Sequence, residues 1–137
     1  MSEQCIFCKI VNKEIPAEIV YEDDSVVAFL DIRPVSKGHT LVVPKKHSND
    51  FLSTEDDVLE ALIPEIKKIG AAVMKAVGAH GMNISTNHGA AAGQVVFHLH
   101  FHLIPRFSND NLMPWPHGDS EPKNRQELAE EIKKLLA

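Results

Sequence analysis

The stretch Val96-Phe97-His98-Leu99-His100-Phe101-His102-Leu103-Ile104 alternates strictly, with histidine at every second position from 98 to 102 and apolar residues elsewhere. Successive side chains on a strand point to opposite faces, so this pattern predicts a strand over 95–105. Phe97, Leu99, Phe101 and Leu103 would form its core face, and His98, His100 and His102 the other. At about 3.3 Å of rise per residue the three imidazoles stand roughly 6 to 7 Å apart. A half-buried strand tolerates one histidine, but three in alternation beside a core face cost stability unless chemistry requires them. Imidazole, with a reference pKa of about 6.5, suits work near neutral pH.

Immediately before this strand, Asn87-His88-Gly89-Ala90-Ala91-Ala92-Gly93-Gln94 supplies two glycines, small side chains and an amide. Such a loop lets backbone N–H groups approach an anion without any net positive charge. Further upstream, Glu18 to Glu22 and Ser25 to Ile32 read as a hairpin around Asp23-Asp24, and His39 to Pro44 as a third strand. Thr54 followed by Asp57 resembles a capping box. Val58, Leu62, Ile66, Ile69, Val73 and Val77 then recur at helical spacing, with a kink or restart expected at Pro64. Met82 to Asn87 is a further strand, residues 5–15 a short helical or irregular segment. Leu128, Ile132, Leu135 and Leu136 mark a second amphipathic helix over about 124–136, capped by Asn124 and in need of an apolar surface to sit on. Strands outnumber crossover helices, which predicts an α+β fold with an antiparallel sheet.

The 137 residues suffice for one domain over 1–137, and their composition, 44% hydrophobic and 24% charged, is that of a globular protein. A net charge of −5 argues against a surface built for a nucleic-acid backbone. No stretch is long and apolar enough to span a bilayer, and Met-Ser-Glu-Gln-Cys has no secretory pattern, so a cytoplasmic location and no membrane partner are expected. The two cysteines, Cys5 and Cys8, close too small a loop to staple a domain, which leaves metal or redox chemistry for the pair.

The apolar-spaced His98, His100 and His102 resemble the signature of the histidine triad superfamily. The resemblance extends to Cys5-Ile-Phe-Cys-Lys-Ile, to Ala28-Phe29-Leu30-Asp31-Ile32-Arg33-Pro34, to residues 38–47 from Gly38-His39 to Lys46-His47, and to Gly93-Gln94. It covers roughly residues 5–116 and implies a five-stranded sheet with two main helices that pairs into an extended sheet in a homodimer. It further implies a hydrolase or nucleotidyl transferase acting at the α-phosphate of a purine nucleotide or nucleotide conjugate: a phosphoramidate, an adenylyl compound or a dinucleoside polyphosphate. His100 would form a nucleotidyl-histidine intermediate, consistent with neutral imidazole as a nucleophile near pH 7. By the same resemblance His102 assists the leaving group, Gln94 positions the nucleotidyl group and later the water, and His39 is a fourth histidine beside the triad. Asp31 would accept the ribose hydroxyls, Phe7, Ile10, Phe29 and Ile32 would form a slot for the base, and Asn87 and the backbone after Gly93 would line the phosphate site. Many relatives carry Ser or Thr where this chain has Val95, so a hydroxyl contact to phosphate is lost and the backbone N–H of Val95 is left to serve.

Relatives with a Cys-x-x-Cys bind zinc through that pair, a distant histidine and the first triad histidine, here Cys5, Cys8, His47 and His98. Four such ligands close the coordination sphere, which reads as structural zinc. A catalytic zinc held by all three triad histidines is the competing enzymatic reading, and strand spacing disfavours it. A module that binds nucleotide or a protein partner without turnover is the non-enzymatic one. His80, His88 and His117 read as surface histidines, and residues 111–116 are candidates for contacts to the leaving group.

Overall fold

A computed structural model describes residues 4–113, 115–118 and 125–137. Five strands, β1 (Ile19–Glu22), β2 (Val26–Leu30), β3 (Thr40–Pro44), β4 (Gly81–Ser85) and β5 (Phe101–Arg106), form one antiparallel sheet in the order β1-β2-β3-β5-β4. Helices α1 (Ile6–Val11), α2 (Asp56–Val77) and α3 (Arg125–Leu136) accompany it, and Ala90–Ala92 form a single 3₁₀ turn. This is the α+β class that the sequence predicts.

Asp23 closes the first hairpin: its Oδ1 accepts the N–H groups of Ser25 and Val26, each at 2.8 Å, while Tyr21 donates its hydroxyl to Oδ2 at 2.8 Å. The next two strands are apolar on both faces because both are covered. Val26, Ala28 and Val42 pack with Leu62, Ile66 and Ile69 of α2, and Leu99, Phe101 and Leu103 join them. Val27, Phe29, Leu41 and Val43 pack on the other face with Cys5, Phe7, Cys8 and Ile10. Gly38 (φ 89°) lets the chain pass beneath the end of α2, where an added Cβ would stand 2.9 Å from Val77.

The capping box does not form. Thr54 donates its hydroxyl to the carbonyl of Asp50 at 2.5 Å, with Ser48 Oγ at 2.9 Å from the same oxygen, and Glu55 takes the N-cap position without a side-chain cap bond. Nor does α2 restart at Pro64; Leu62, Ile66 and Ile69 seat both halves on one sheet face, and the helix ends in left-handed Gly78.

The predicted strand over 95–105 is shorter than its alternation suggests. Its ladder to β3 stops at the pair Val42 and Phe101. Beyond that pair β3 ends in Pro44, which has no N–H to give. The Pro44 carbonyl takes the ring N–H of His98 at 2.8 Å, and Leu99 N–H turns to the Ser48 carbonyl at 2.7 Å. Residues 96–98 therefore bend, and Phe97, expected in the core, is 45% exposed. Leu99, Phe101 and Leu103 keep the core face, so the histidines still share the other.

Helix α3 buries none of its side chains, and Leu128, Ile132, Leu135 and Leu136 are exposed. Its proposed cap, Asn124, lies outside the described residues. No helix among the described residues is long and apolar enough to cross a membrane.

Candidate active site and metal centre

His100 is buried, and its Nδ1–H donates to the backbone carbonyl of His98 at 2.7 Å. That bond fixes the tautomer, so Nε2 carries the lone pair. A second tautomer is fixed by a longer chain. The N–H of Val35 donates to Nδ1 of His39 at 3.0 Å, which leaves the His39 proton on Nε2. That Nε2 lies 3.0 Å from Nδ1 of His102 and donates to it, so His102 carries its own proton on Nε2.

Burial disfavours the charged form of all three rings. His39 is lowered by burial against the opposing pull of Asp31. His100 is lowered by burial despite the His98 carbonyl and Asp31. His102 is pushed down to about 4 by burial and then by its neighbours His100 and His39. All three are neutral at pH 7.

A cleft of about 440 Å³ opens beside His100 and His102. Phe7, Ile10, Phe29, Asp31, Ile32, Asn87, Gly93 and Val95 all line it, brought together from α1, the end of β2 and the loop before the histidines. Asp31 accepts the Arg33 N–H at 2.8 Å through Oδ1, and its Oδ2 lies 3.6 Å from His39 Nε2. Ile32 and Val95 stand at the mouth, 90% and 85% exposed. Ile15, Pro16, Ala17 and Leu41 also line the cleft; Leu41 sits in an apolar strand and the other three in a polar connection after α1, where no sequence signal marks them.

Gln94 is placed differently. Its buried amide accepts the Gly89 N–H at 2.8 Å and donates to the carbonyls of Asn49 at 2.7 Å and Val96 at 3.1 Å. It braces the loop and is not among the residues lining the cleft. Gly93, with φ 93°, adopts a left-handed conformation there that favours glycine, and its carbonyl accepts Asn87 Nδ2 at 3.4 Å.

Behind the cleft, Cys5, Cys8, His47 and His98 converge, their ligand atoms all within 4.8 Å of one another. The Nδ1 atoms of His47 and His98 are 3.2 Å apart. The Cys5 and Cys8 Sγ atoms lie 3.4 and 3.6 Å from His98 Nδ1, and Cys8 Sγ lies 3.3 Å from His47 Nδ1. A tetrahedron with usual Zn–N and Zn–S lengths has N–N edges of about 3.3 Å and S–N edges of about 3.5 Å. The protonation pattern fits as well. His98 Nε2–H is held by the Pro44 carbonyl at 2.8 Å and His47 Nε2–H by Asn49 Oδ1 at 3.2 Å. Two Nδ1 lone pairs therefore face each other, an arrangement that a cation relieves. The residues fit zinc. Asp31, His39 and His102 also lie within ligand distance of one another, but the proton that Val35 keeps on His39 Nε2 is donated in a hydrogen bond to His102, with Asp31 Oδ2 3.6 Å away.

Of the remaining histidines, the exposed His80 accepts the Ser108 N–H at 2.9 Å, and His88 lies 3.5 Å from Asp50. Residues 111–113 and 115–116 do not line the cleft; Leu112 is tied to the Arg106–Asp110 ion pair, and Pro114 lies outside the described residues.

Comparison with known proteins agrees with this geometry. The model of the HIT domain matches residues 12–109. An uncharacterised HIT-like protein of Methanocaldococcus jannaschii is 50% identical over 129 residues, covering 94% of this chain and 98% of its own. The adenosine 5'-monophosphoramidase of Schizosaccharomyces pombe is 40% identical, covering 93% and 95%. An adenylylsulfatase of Arabidopsis thaliana is 38% identical, covering 100% of this chain and 68% of its own. Among solved structures, a Streptococcus mutans protein superposes with a TM-score of 0.92 at 43% identity, covering 100% and 88%. A zinc-bound histidine triad family protein of Mycobacterium smegmatis gives 0.76 at 36%, covering 97% and 93%. With its three histidines on one face, its cleft and its five-stranded sheet, the chain belongs to the HIT domain family.

Proposed function

We propose that this protein hydrolyses purine nucleotide conjugates at the α-phosphate through a nucleotidyl-His100 intermediate. The observation that carries the reading is the Nδ1–H bond from His100 to the His98 carbonyl, which leaves a neutral Nε2 as nucleophile beside a nucleotide-sized cleft. Relatives named as an adenosine 5'-monophosphoramidase and an adenylylsulfatase support the reaction class, since both names describe action on an adenosine nucleotide conjugate.

The base would lie among Phe7, Ile10, Phe29 and Ile32, and the ribose hydroxyls would donate to Asp31. His100 Nε2 attacks the α-phosphorus and the bond from phosphorus to the leaving group breaks. His102 Nε2–H, oriented by His39, hydrogen-bonds a phosphate oxygen and the departing atom, which takes its proton from solvent. Water then attacks the same phosphorus and gives up a proton to solvent, the P–N bond breaks, and the nucleoside monophosphate leaves with His100 neutral again. Gln94 would act by holding the loop that carries Gly93 and Val95, whose backbone would meet the phosphate. Cys5, Cys8, His47 and His98 would hold zinc, which supplies a structural cross-link. The chain would work as a homodimer: edge strand β4 exposes Ile84 beside an apolar groove formed with Ile63, Met74 and Met82.

Intact-protein mass spectrometry after rapid quenching with an adenosine phosphoramidate tests the mechanism. An adenylyl adduct is expected in the wild type and absent in His100→Ala. Binding of adenosine monophosphate with neither adduct nor turnover would make the protein a binding module instead.

A further inference from the structure

One short helix serves both the metal centre and the cleft. Cys5 caps α1 and Cys8 lies in its first turn, while Phe7 between them lines the cleft. The Phe7 ring stands edge-on to His98 at 5.9 Å, to His100 at 5.0 Å and to Phe29 at 5.5 Å. Residue 98 is shared in a second way. Its imidazole belongs to the metal cluster, and its carbonyl holds the Nδ1–H of His100.

Side chains rather than backbone hydrogen bonds fix this wall of the cleft to the sheet. Among the described residues, the backbone hydrogen bonds of residues 5–14 close within that segment. The segment is held by side chains: Phe7 and Ile10 packed on Val27, Phe29, Leu41 and Val43, the Lys13–Glu22 ion pair, and the Cys and His groups of the metal site. The Nδ1 atoms of His47 and His98, which face each other at 3.2 Å, are the pair that an ion would bridge. An ion therefore reaches the cleft by two routes, through α1 to its apolar wall and through residue 98 to His100.

Building on the nucleotide reading above, we propose that metal binding and nucleotide binding are positively coupled, the ion setting the wall that receives the base and the orientation of His100. Coupling of this kind is reciprocal: the ion strengthens nucleotide binding by the factor by which nucleotide strengthens ion binding, commonly about 5- to 150-fold.

Titration calorimetry of adenosine monophosphate into zinc-loaded and metal-free protein tests it, with circular dichroism to establish that the metal-free chain keeps its sheet. Binding at least about 5-fold tighter to the zinc-loaded form is expected. Equal affinities in two folded forms overturn the coupling and leave the nucleotide reading standing, whereas absence of binding to the zinc-loaded form overturns both. If the metal-free chain unfolds, the loaded protein carries the test: transfer of zinc to a chromophoric chelator should slow by about 5-fold or more with saturating adenosine monophosphate. Inorganic phosphate, which reaches the histidines and not the wall, should slow it less. An unchanged rate, or equal protection by phosphate, overturns the proposal.

Discussion

Nε2 of His39 donates to Nδ1 of His102 at 3.0 Å, and because Val35 N–H occupies the other nitrogen of His39, that direction is fixed. In His39→Ala the tautomer of His102 is no longer imposed, and kcat should fall by roughly 10²-fold, the lower limit attributed to positioned proton donors. Nitrogen NMR of the His102 ring should show the Nε2-protonated form in the wild type and a mixture in the variant.

His100→Ala should lose on the order of 10⁴-fold or more in kcat, as removal of a covalent nucleophile does. Binding of adenosine monophosphate should change far less, since the apolar wall and Asp31 remain. Comparable losses in binding and turnover would point to a collapsed cleft.

Acid should unfold the protein through its buried imidazoles. His102, about 4 in the folded state against an ordinary 6.5, and His39, also lowered by burial, bind fewer protons folded than unfolded. Their neutral forms therefore contribute stability in full above about pH 6.5. That contribution is lost as pH falls through the window from 6.5 to about 4. Urea midpoints measured across this window should drop with pH, and the drop should be shallower in His39→Phe.

Gln94→Ala should destabilise by about 1–3 kcal/mol, because it leaves the Gly89 N–H and the carbonyls of Asn49 and Val96 without their buried partner. Gln94→Glu should be no better, since it places an oxygen against two carbonyls. Denaturant unfolding of both variants checks this, and a loss of kcat with unchanged stability would instead favour direct contact with substrate.

If Cys5, Cys8, His47 and His98 hold zinc as proposed, Cys8→Ser should bind one equivalent less by native mass spectrometry and have a lower thermal midpoint. Removing both cysteines should cost no further metal, since the ligand set is already broken, but should lower the midpoint again because Cys5 also caps α1.

Much of this was legible in the sequence where one-dimensional periodicity survives folding. The apolar runs of β2 and β3, the helical spacing from Leu62 to Val77 and the alternation from Leu99 to Leu103 all translate directly into faces of the sheet and of α2. Legibility fails where a backbone group decides the outcome. The carbonyl of Pro44 and the N–H of Val35 carry no side-chain signature, yet one bends residues 96–98 and the other orients His102. Thr54 looks like a cap because capping sequence and loop-closing sequence are the same; its hydroxyl had nearer partners in Ser48 and Asp50. The eight cleft residues came from resemblance to a family, since phenylalanine and isoleucine in apolar segments otherwise announce only a core.

The two-sided burial of β2 and β3 also limits what hydrophobicity can specify. On a strand with one wet face, slipping the register by one residue exposes the core and is strongly opposed. Val26 to Phe29 and Leu41 to Val43 are apolar whichever way they face, so a slip exchanges one buried set for another. Register must come from outside the ladder: from Asp23, which grips two successive N–H groups, and from Gly38, whose place beneath α2 leaves no room for a side chain. A one-residue deletion at Asp24 would leave a chain still able to collapse, with Phe29 beneath α2 and the cleft without its floor.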